Sequence, residues 1–89
     1  MTAVDVVVRG RVQGVGFRFR LVEEAERLGV TGWVRNEPDG TVGGHLEGAV
    51  DAVDRLVAWC REGPRYAKVQ AVDVTEVEET GAATFDMRF

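Results

Sequence analysis

A glycine-rich turn followed by an arginine is the segment of this 89-residue sequence best suited to chemistry. Gly14 and Gly16 follow a run of alternating valines, and Arg18 stands where a helical pattern begins. Glycines let successive backbone N–H groups point into one concave site, and a helix start adds free N–H donors. The arginine adds a bidentate cation for phosphate or carboxylate oxygens. The spacing indicates a small-anion site, but a plain tight turn beside a solvated Arg18 fits it equally well.

Two common glycine-rich phosphate motifs are excluded. A P-loop requires a lysine and a Ser or Thr directly after its last glycine, and no lysine follows this turn. A dinucleotide-binding fingerprint requires glycine at the sixth position counted from Gly14, where the sequence has Phe19. A phosphate site here would therefore be of another kind.

The elements that must position this turn follow from the spacing of apolar residues. Period-two alternation indicates strands, and apolar residues at i, i+3, i+4 and i+7 indicate amphipathic helices. These patterns predict a strand over 3–12, a helix over 19–28, strands over 30–35 and 41–47, a helix over 51–62, and strands over 69–77 and 85–89.

The predicted order is β-α-β-β-α-β with a short extra C-terminal strand. Each helix has one apolar face, so both helices must cover the same face of the sheet. We therefore expect a single α+β domain over residues 1–89. Its predicted architecture is a ferredoxin-like βαββαβ sandwich, with an antiparallel sheet and two helices on one face.

Composition narrows the classes of function. Fifteen acidic against 11 basic residues give a net charge of −4, which disfavours nucleic acid as a partner. One cysteine, Cys60, excludes an internal disulfide, and one cysteine with one histidine makes a zinc site implausible. The sequence has no long apolar stretch of the kind that would predict contact with a membrane. Residues 1–6 do not resemble a signal peptide. We expect a cytoplasmic protein.

Several other residues are expected to be structural. His45 is predicted to be an ordinary surface or sheet-face histidine, and Cys60 a buried thiol on the apolar face of the second helix. Trp33 and Trp59 are expected in core or half-buried packing. The pair Gly43–Gly44 interrupts a predicted strand and is expected to mark a bulge or looser local packing.

Two longer motifs resemble those of the acylphosphatase family. The segment Val8–Arg18 is similar to the family's first motif, with the core G-x-V-Q-G-V-x-F-R. The segment Gly32–Asn36, with Gly40–Val42 and Gly48, is similar to the second motif. The motifs stand at the family's usual separation, and the resemblance covers residues 3–89.

The resemblance implies an enzyme that hydrolyses the carboxyl–phosphate anhydride of small acyl phosphates to a carboxylate and inorganic phosphate. It implies Arg18 and Asn36 as catalytic residues, Asn36 by orienting the attacking water. It implies no metal and no organic cofactor, and the chain length favours a monomer. The phosphate cradle implied by the resemblance consists of Gln13, Gly14, Val15, Gly16, Phe17 and Arg18.

The alternative function is a non-catalytic ferredoxin-like module that binds a small anion or a partner protein. Phosphate binding without hydrolysis would favour this module over the enzyme. An RNA-binding sheet of the same topology is disfavoured, because the chain lacks an aromatic-rich strand motif and a basic surface.

Overall fold

The computed structural model describes residues 1–89 as five strands and two helices. The elements are β1 (Thr2–Arg11), α1 (Phe17–Leu28), β2 (Thr31–Asn36), β3 (Val42–Gly48), α2 (Val50–Glu62), β4 (Lys68–Glu76) and β5 (Phe85–Arg88). All seven predicted elements are present, with bounds that differ by one or two residues.

The largest difference in bounds is the start of α1, which begins at Phe17 and not at the predicted residue 19. Gly16 occupies the N-cap position, and no side chain caps the helix. The usual Ser, Thr, Asp or Asn signal is therefore missing from the sequence. Tertiary packing extends the helix, because the Phe17 ring is buried and its centroid lies 5.4 Å from that of Trp59.

The five strands form one sheet in the order β4-β1-β3-β2-β5. The first four strands pair antiparallel, which confirms the predicted α+β ferredoxin-like class. The expectation of a wholly antiparallel sheet needs one correction, because β5 pairs parallel to β2 and makes the sheet mixed. The connection over residues 77–84 carries the chain from the β4 edge to the opposite edge, where β5 arrives in the direction of β2.

The core lies between the sheet and the two helices. It contains 16 buried residues, among them Val6 and Val8 of β1, Leu21 of α1, Leu46 of β3 and Leu56 of α2. Burying each large aliphatic side chain stabilises the fold by about 1.5–3 kcal/mol. Neither helix has the length and apolar character needed to cross a membrane.

The structural predictions for three further side chains are confirmed. Cys60 is a fully buried free thiol, and burial raises its pKa to about 12. Trp33 and Trp59 are both half-buried. None of the three lines the cavity beside the glycine-rich turn.

The irregularity expected at Gly43–Gly44 is absent. Strand β3 keeps a continuous register with β1 and β2 through both glycines, and both are buried. A Cβ at Gly44 would lie 3.2 Å from Val6 Cγ2 and 3.2 Å from the Trp33 carbonyl oxygen. Close approach of the neighbouring strands therefore accounts for this glycine, and not a bulge.

A buried polar network occupies the sheet face that the helices leave uncovered. His45 contacts Asp5 Oδ1 through Nδ1 at 2.7 Å and Glu47 Oε2 through Nε2 at 2.8 Å. Glu47 Oε1 accepts hydrogen bonds from the N–H groups of Thr80 (2.9 Å) and Gly81 (3.2 Å). His45 is thus a sheet-face residue, as expected, but it is almost completely buried. The network fastens the β4–β5 connection to the middle of the sheet.

Candidate active site

The turn between β1 and α1 needs its glycines for their backbone conformation. Gly14 and Gly16 have φ values of 73° and 76°, in the left-handed region. A non-glycine residue in this region costs about 1–2 kcal/mol. No atom lies within 4 Å of where a Cβ would stand at either position, so space alone does not demand glycine. The turn is open on the side that faces solvent.

The start of α1 presents unpaired N–H donors beside this turn. The hydrogen bond from the Arg20 N–H to the Gly16 oxygen, 3.1 Å long, opens the helix. The N–H groups of Phe17, Arg18 and Phe19 precede this bond and have no partner within the helix. No acidic residue lies in the first turn, so the positive end of the helix dipole is not neutralised. This end of α1 therefore favours an anion.

Arg18 is held by the last strand of the sheet. Its Nη1 donates a hydrogen bond of 2.9 Å to the carbonyl oxygen of Arg88, and its Cζ lies 5.1 Å from the ring centroid of Phe89. A guanidinium has five N–H donors, so this contact leaves the others available to a ligand. The sequence contains no signal for this pairing, because a backbone carbonyl serves as the acceptor.

The side chain of Gln13 joins the turn to the β2–β3 hairpin. Its Nε2 donates to the carbonyl oxygens of Glu37 at 2.8 Å and Thr41 at 2.9 Å. The hairpin is itself stiffened by Asp39, whose Oδ1 accepts from the backbone N–H of Thr41 at 3.0 Å. The Gln13 side chain therefore fixes the turn in place, and only its backbone remains as a candidate phosphate ligand.

Asn36 is the last residue of β2, directly before this hairpin. It is half-buried, and its side chain makes no hydrogen bond to the rest of the chain. The amide is therefore free to bind water or a ligand in the space between β2 and the turn.

One cavity of about 130 Å³ brings most of these groups together. Five of the seven predicted site residues line it, namely Gly14, Gly16, Phe17, Arg18 and Asn36. Gln13 and Val15 do not line it. The side chain of Gln13 points to the hairpin, and Val15 packs partly against the core.

Sequence reasoning missed three residues of this cavity, Val12, Phe19 and Met87. Val12 and Phe19 flank the glycine-rich turn and could have been included by proximity. Met87 carried no such signal, because its place in the cavity depends on the parallel pairing of β5 with β2.

The cavity suits a compact anion. Its volume of about 130 Å³ lies below the roughly 300–1,000 Å³ of pockets that hold drug-sized ligands, so it suits a small ligand such as phosphate. Arg18 is the only charged residue in its lining, and no carboxylate faces it. The chain holds no cluster of three or more His, Cys, Asp or Glu residues that would suit a metal ion.

The acylphosphatase family model matches residues 4–87. The chain belongs to the acylphosphatase family. A relative from Nocardioides sp. that bears the name Acylphosphatase is 56% identical over 87 residues, which cover 98% of this chain and 88% of the relative. The resemblance carried by the two sequence motifs is therefore confirmed, and so is the predicted enzyme class.

Two solved acylphosphatase structures have the same fold over all or nearly all of their length. The Bacillus subtilis acylphosphatase has a TM-score of 0.96 and 36% identity, with 100% of both chains covered. An acylphosphatase from Coxiella burnetii has a TM-score of 0.94 and 38% identity, covering 98% of this chain and 92% of that one. These matches extend over both helices and all five strands of this acylphosphatase family member.

Proposed function

We propose that the chain hydrolyses small acyl phosphates to a carboxylate and inorganic phosphate, with Arg18 and Asn36 as its catalytic residues. One observation carries this proposal. Arg18 from α1 and Asn36 from β2 line the same phosphate-sized cavity as Gly14 and Gly16. A cation, an unpaired amide and open backbone donors thus face one space.

Substrate binding would use the turn and the arginine together. The phosphoryl oxygens accept hydrogen bonds from the backbone N–H groups of residues Gln13–Arg18, including those of Val15 and Phe17, and from the guanidinium of Arg18. The hydrogen bond to the Arg88 carbonyl holds that guanidinium in place before substrate arrives. Preorganised donors of this kind stabilise the charge that spreads over the phosphoryl oxygens in the transition state.

In the chemical step, Asn36 positions a water molecule opposite the acyl oxygen. The water oxygen forms a bond to phosphorus as the bond between phosphorus and the acyl oxygen breaks. The electron pair leaves with the carboxylate, and the water proton passes to the phosphate product and then to solvent. The conjugate acid of a carboxylate has a pKa near 4, so the leaving group departs as an anion without a general acid.

The absence of a strong base from the cavity fits a loose transition state. Because bond breaking runs ahead of bond making, the water is barely deprotonated when the acyl oxygen leaves. An amide that fixes the direction of the water is then sufficient. His45 plays no part, since it lies in the buried network on the uncovered face of the sheet.

Benzoyl phosphate tests the proposal directly. We expect the folded chain to hydrolyse it, with inorganic phosphate as a competitive inhibitor and no change in rate after a metal chelator is added. Phosphate binding without turnover would instead identify the non-catalytic anion-binding module. Failure both to bind phosphate and to hydrolyse benzoyl phosphate would contradict a phosphate site of any kind.

We also propose that residues 1–89 act as one domain and as a monomer in the cytoplasm, with a small acyl phosphate and not a nucleic acid as partner. Arg18 and Asn36, the two proposed catalytic residues, line one cavity within a single chain. Light scattering on an eluting peak should give about the 9.8 kDa mass of one chain. Cell fractionation tests the location.

A further inference from the structure

A second and larger groove lies beside the phosphate-sized cavity. Its volume is about 490 Å³, and it shares Gly16 and Phe19 with that cavity. Volumes of this order are typical of small-molecule sites. The two spaces therefore adjoin at the start of α1, where the phosphoryl group is proposed to bind.

The groove offers the space that the acyl part of a substrate needs. The smaller cavity, at about 130 Å³, lies below the range typical of small-molecule sites and suits the phosphoryl group rather than a whole acyl phosphate. Two aromatic rings line the larger groove, Phe19 from α1 and Tyr66 from the connection between α2 and β4. They are 61% and 71% exposed, so each ring has surface available to contact a carbon skeleton.

The charges that line the groove are both positive. Arg20 and Arg65 line it, and no carboxylate does. Arg20 has a partner in Glu23 at 3.4 Å, an exposed pair of small energetic value. Arg65 is in no ion pair, and its Cζ lies 5.6 Å from the Tyr66 ring centroid. On a chain of net charge −4, the groove is therefore a local region of positive charge, which attracts anions.

We propose that this groove is the acyl subsite and that it selects acyl phosphates whose acyl part carries its own negative charge. Phe19 and Tyr66 contact the carbon skeleton, and Arg20 and Arg65 face the distal anion. The inference rests on the proposed function, since it assigns the substrate class of that same site.

The first test compares 4-carboxybenzoyl phosphate with benzoyl phosphate, which differ by one distal carboxylate. The quantity measured is the ratio of their kcat/KM values. The double variant Arg20→Gln with Arg65→Gln should lower this ratio about five- to tenfold, the size expected for two exposed ionic contacts. Because it is a ratio, a general loss of folding or turnover would not change it.

The matched control removes the same two charges elsewhere. Arg11 and Arg55 are exposed and line neither the cavity nor the groove. The double variant Arg11→Gln with Arg55→Gln should keep the wild-type ratio within about twofold, because general attraction to a more charged substrate is weak and screened by salt. Equal changes in the two double variants would overturn the charge selection.

A ring variant tests the contact with the carbon skeleton. Tyr66→Ala should lower kcat/KM for benzoyl phosphate about three- to fivefold more than for acetyl phosphate, whose acyl group has no ring to contact Tyr66. Equal losses for both substrates would contradict the subsite. Failure of the wild type to hydrolyse any of these compounds would instead overturn the proposed function itself, so the two failures are distinguishable.

Discussion

The guanidinium of Arg18 donates from Nη1 to the carbonyl oxygen of Arg88 across 2.9 Å, and this bond ties the start of α1 to the end of β5. Strand β5 is held there by its parallel pairing with β2, and Glu47 fastens the connection before it by accepting from the N–H groups of Thr80 and Gly81. The start of α1 is thus linked through β5 to a buried network on the other face of the sheet.

Arg18→Gln should abolish activity. The change removes both the charge and the bidentate fork that stabilise the transferring phosphoryl group, so kcat/KM for benzoyl phosphate should fall about 10³-fold or more. Arg18→Lys should recover only part of this loss, because an ammonium lacks the planar fork. Arg11→Gln, at an exposed arginine outside the cavity, serves as the control. Near-normal turnover by a folded Arg18→Gln protein would refute the assignment.

Asn36→Ala should separate turnover from binding. Loss of the amide that positions water should lower kcat by about 10²–10³-fold, as for one preorganised polar contact. The inhibition constant of inorganic phosphate should stay near its wild-type value, because phosphate is held by the turn and Arg18. A rise in that constant in proportion to the loss of kcat would make Asn36 a phosphate ligand.

Gln13→Ala should weaken both the fold and the site. It removes the two hydrogen bonds to the carbonyl oxygens of Glu37 and Thr41, and leaves both acceptors without this donor. The free energy of unfolding should fall by about 1–3 kcal/mol in chemical denaturation. The rate should fall as well, because the turn loses its fixed distance to Asn36. Gln70→Ala, at the exposed bulge residue of β4, should leave both quantities unchanged.

Phe89→Ala should affect substrate binding with little effect on stability. The Phe89 side chain is fully exposed, and Arg18 Cζ lies 5.1 Å from its ring centroid, a cation–π contact worth about 0.5–1 kcal/mol at an exposed site. KM for benzoyl phosphate should therefore rise about two- to fivefold, and Phe89→Tyr should restore it. A fully normal KM would show that the Arg88 carbonyl alone orients Arg18.

Stability should decrease as the pH rises above neutrality because of His45. Burial lowers the pKa of this ring, but its hydrogen bonds to Asp5 and Glu47 outweigh burial, so the pKa lies above 6.5. The stabilisation is complete below 6.5 and disappears as the pH rises through the higher pKa of the folded state. In the wild type, the free energy of unfolding should fall as the pH rises from about 6.5 through the raised pKa of His45 in the folded state. His45→Gln, which removes the only histidine, should flatten this profile.

Glu47 should control stability in acid. Burial raises the pKa of this carboxyl, but hydrogen bonds from Thr80, His45 and Gly81 lower it by more, so that the pKa falls from 4.5 to about 2. Its stabilisation is therefore complete above its ordinary value of 4.5 and is lost as the pH falls toward about 2. Glu47→Gln should lower stability near pH 6 and reduce the slope of unfolding free energy between about pH 4.5 and about pH 2. An unchanged acid slope would contradict this role.

The bulge in β4 shows how local pattern and tertiary contact combine. The apolar alternation of this strand changes phase in its middle, which the sequence already reveals. The structure shows the cause, because Arg9 pairs with Ala71 and Gly10 with Val69, which leaves Gln70 as an extra residue. At Gly43–Gly44 the sequence indicated a bulge, but β3 is regular there, and the close approach of Val6 accounts for the glycine at position 44.

The sequence by itself determined the order of the elements and the position of the glycine-rich turn, because hydrophobic period and the left-handed conformation open to Gly14 and Gly16 are local properties. The two residues proposed for catalysis came from the resemblance of its motifs to those of the acylphosphatase family. Only the tertiary structure decided the parallel pairing of β5, the bond from Arg18 to Arg88, and the buried contacts of His45. Each of these joins residues far apart in the chain through backbone atoms or strand register. Residue types alone do not predict such contacts.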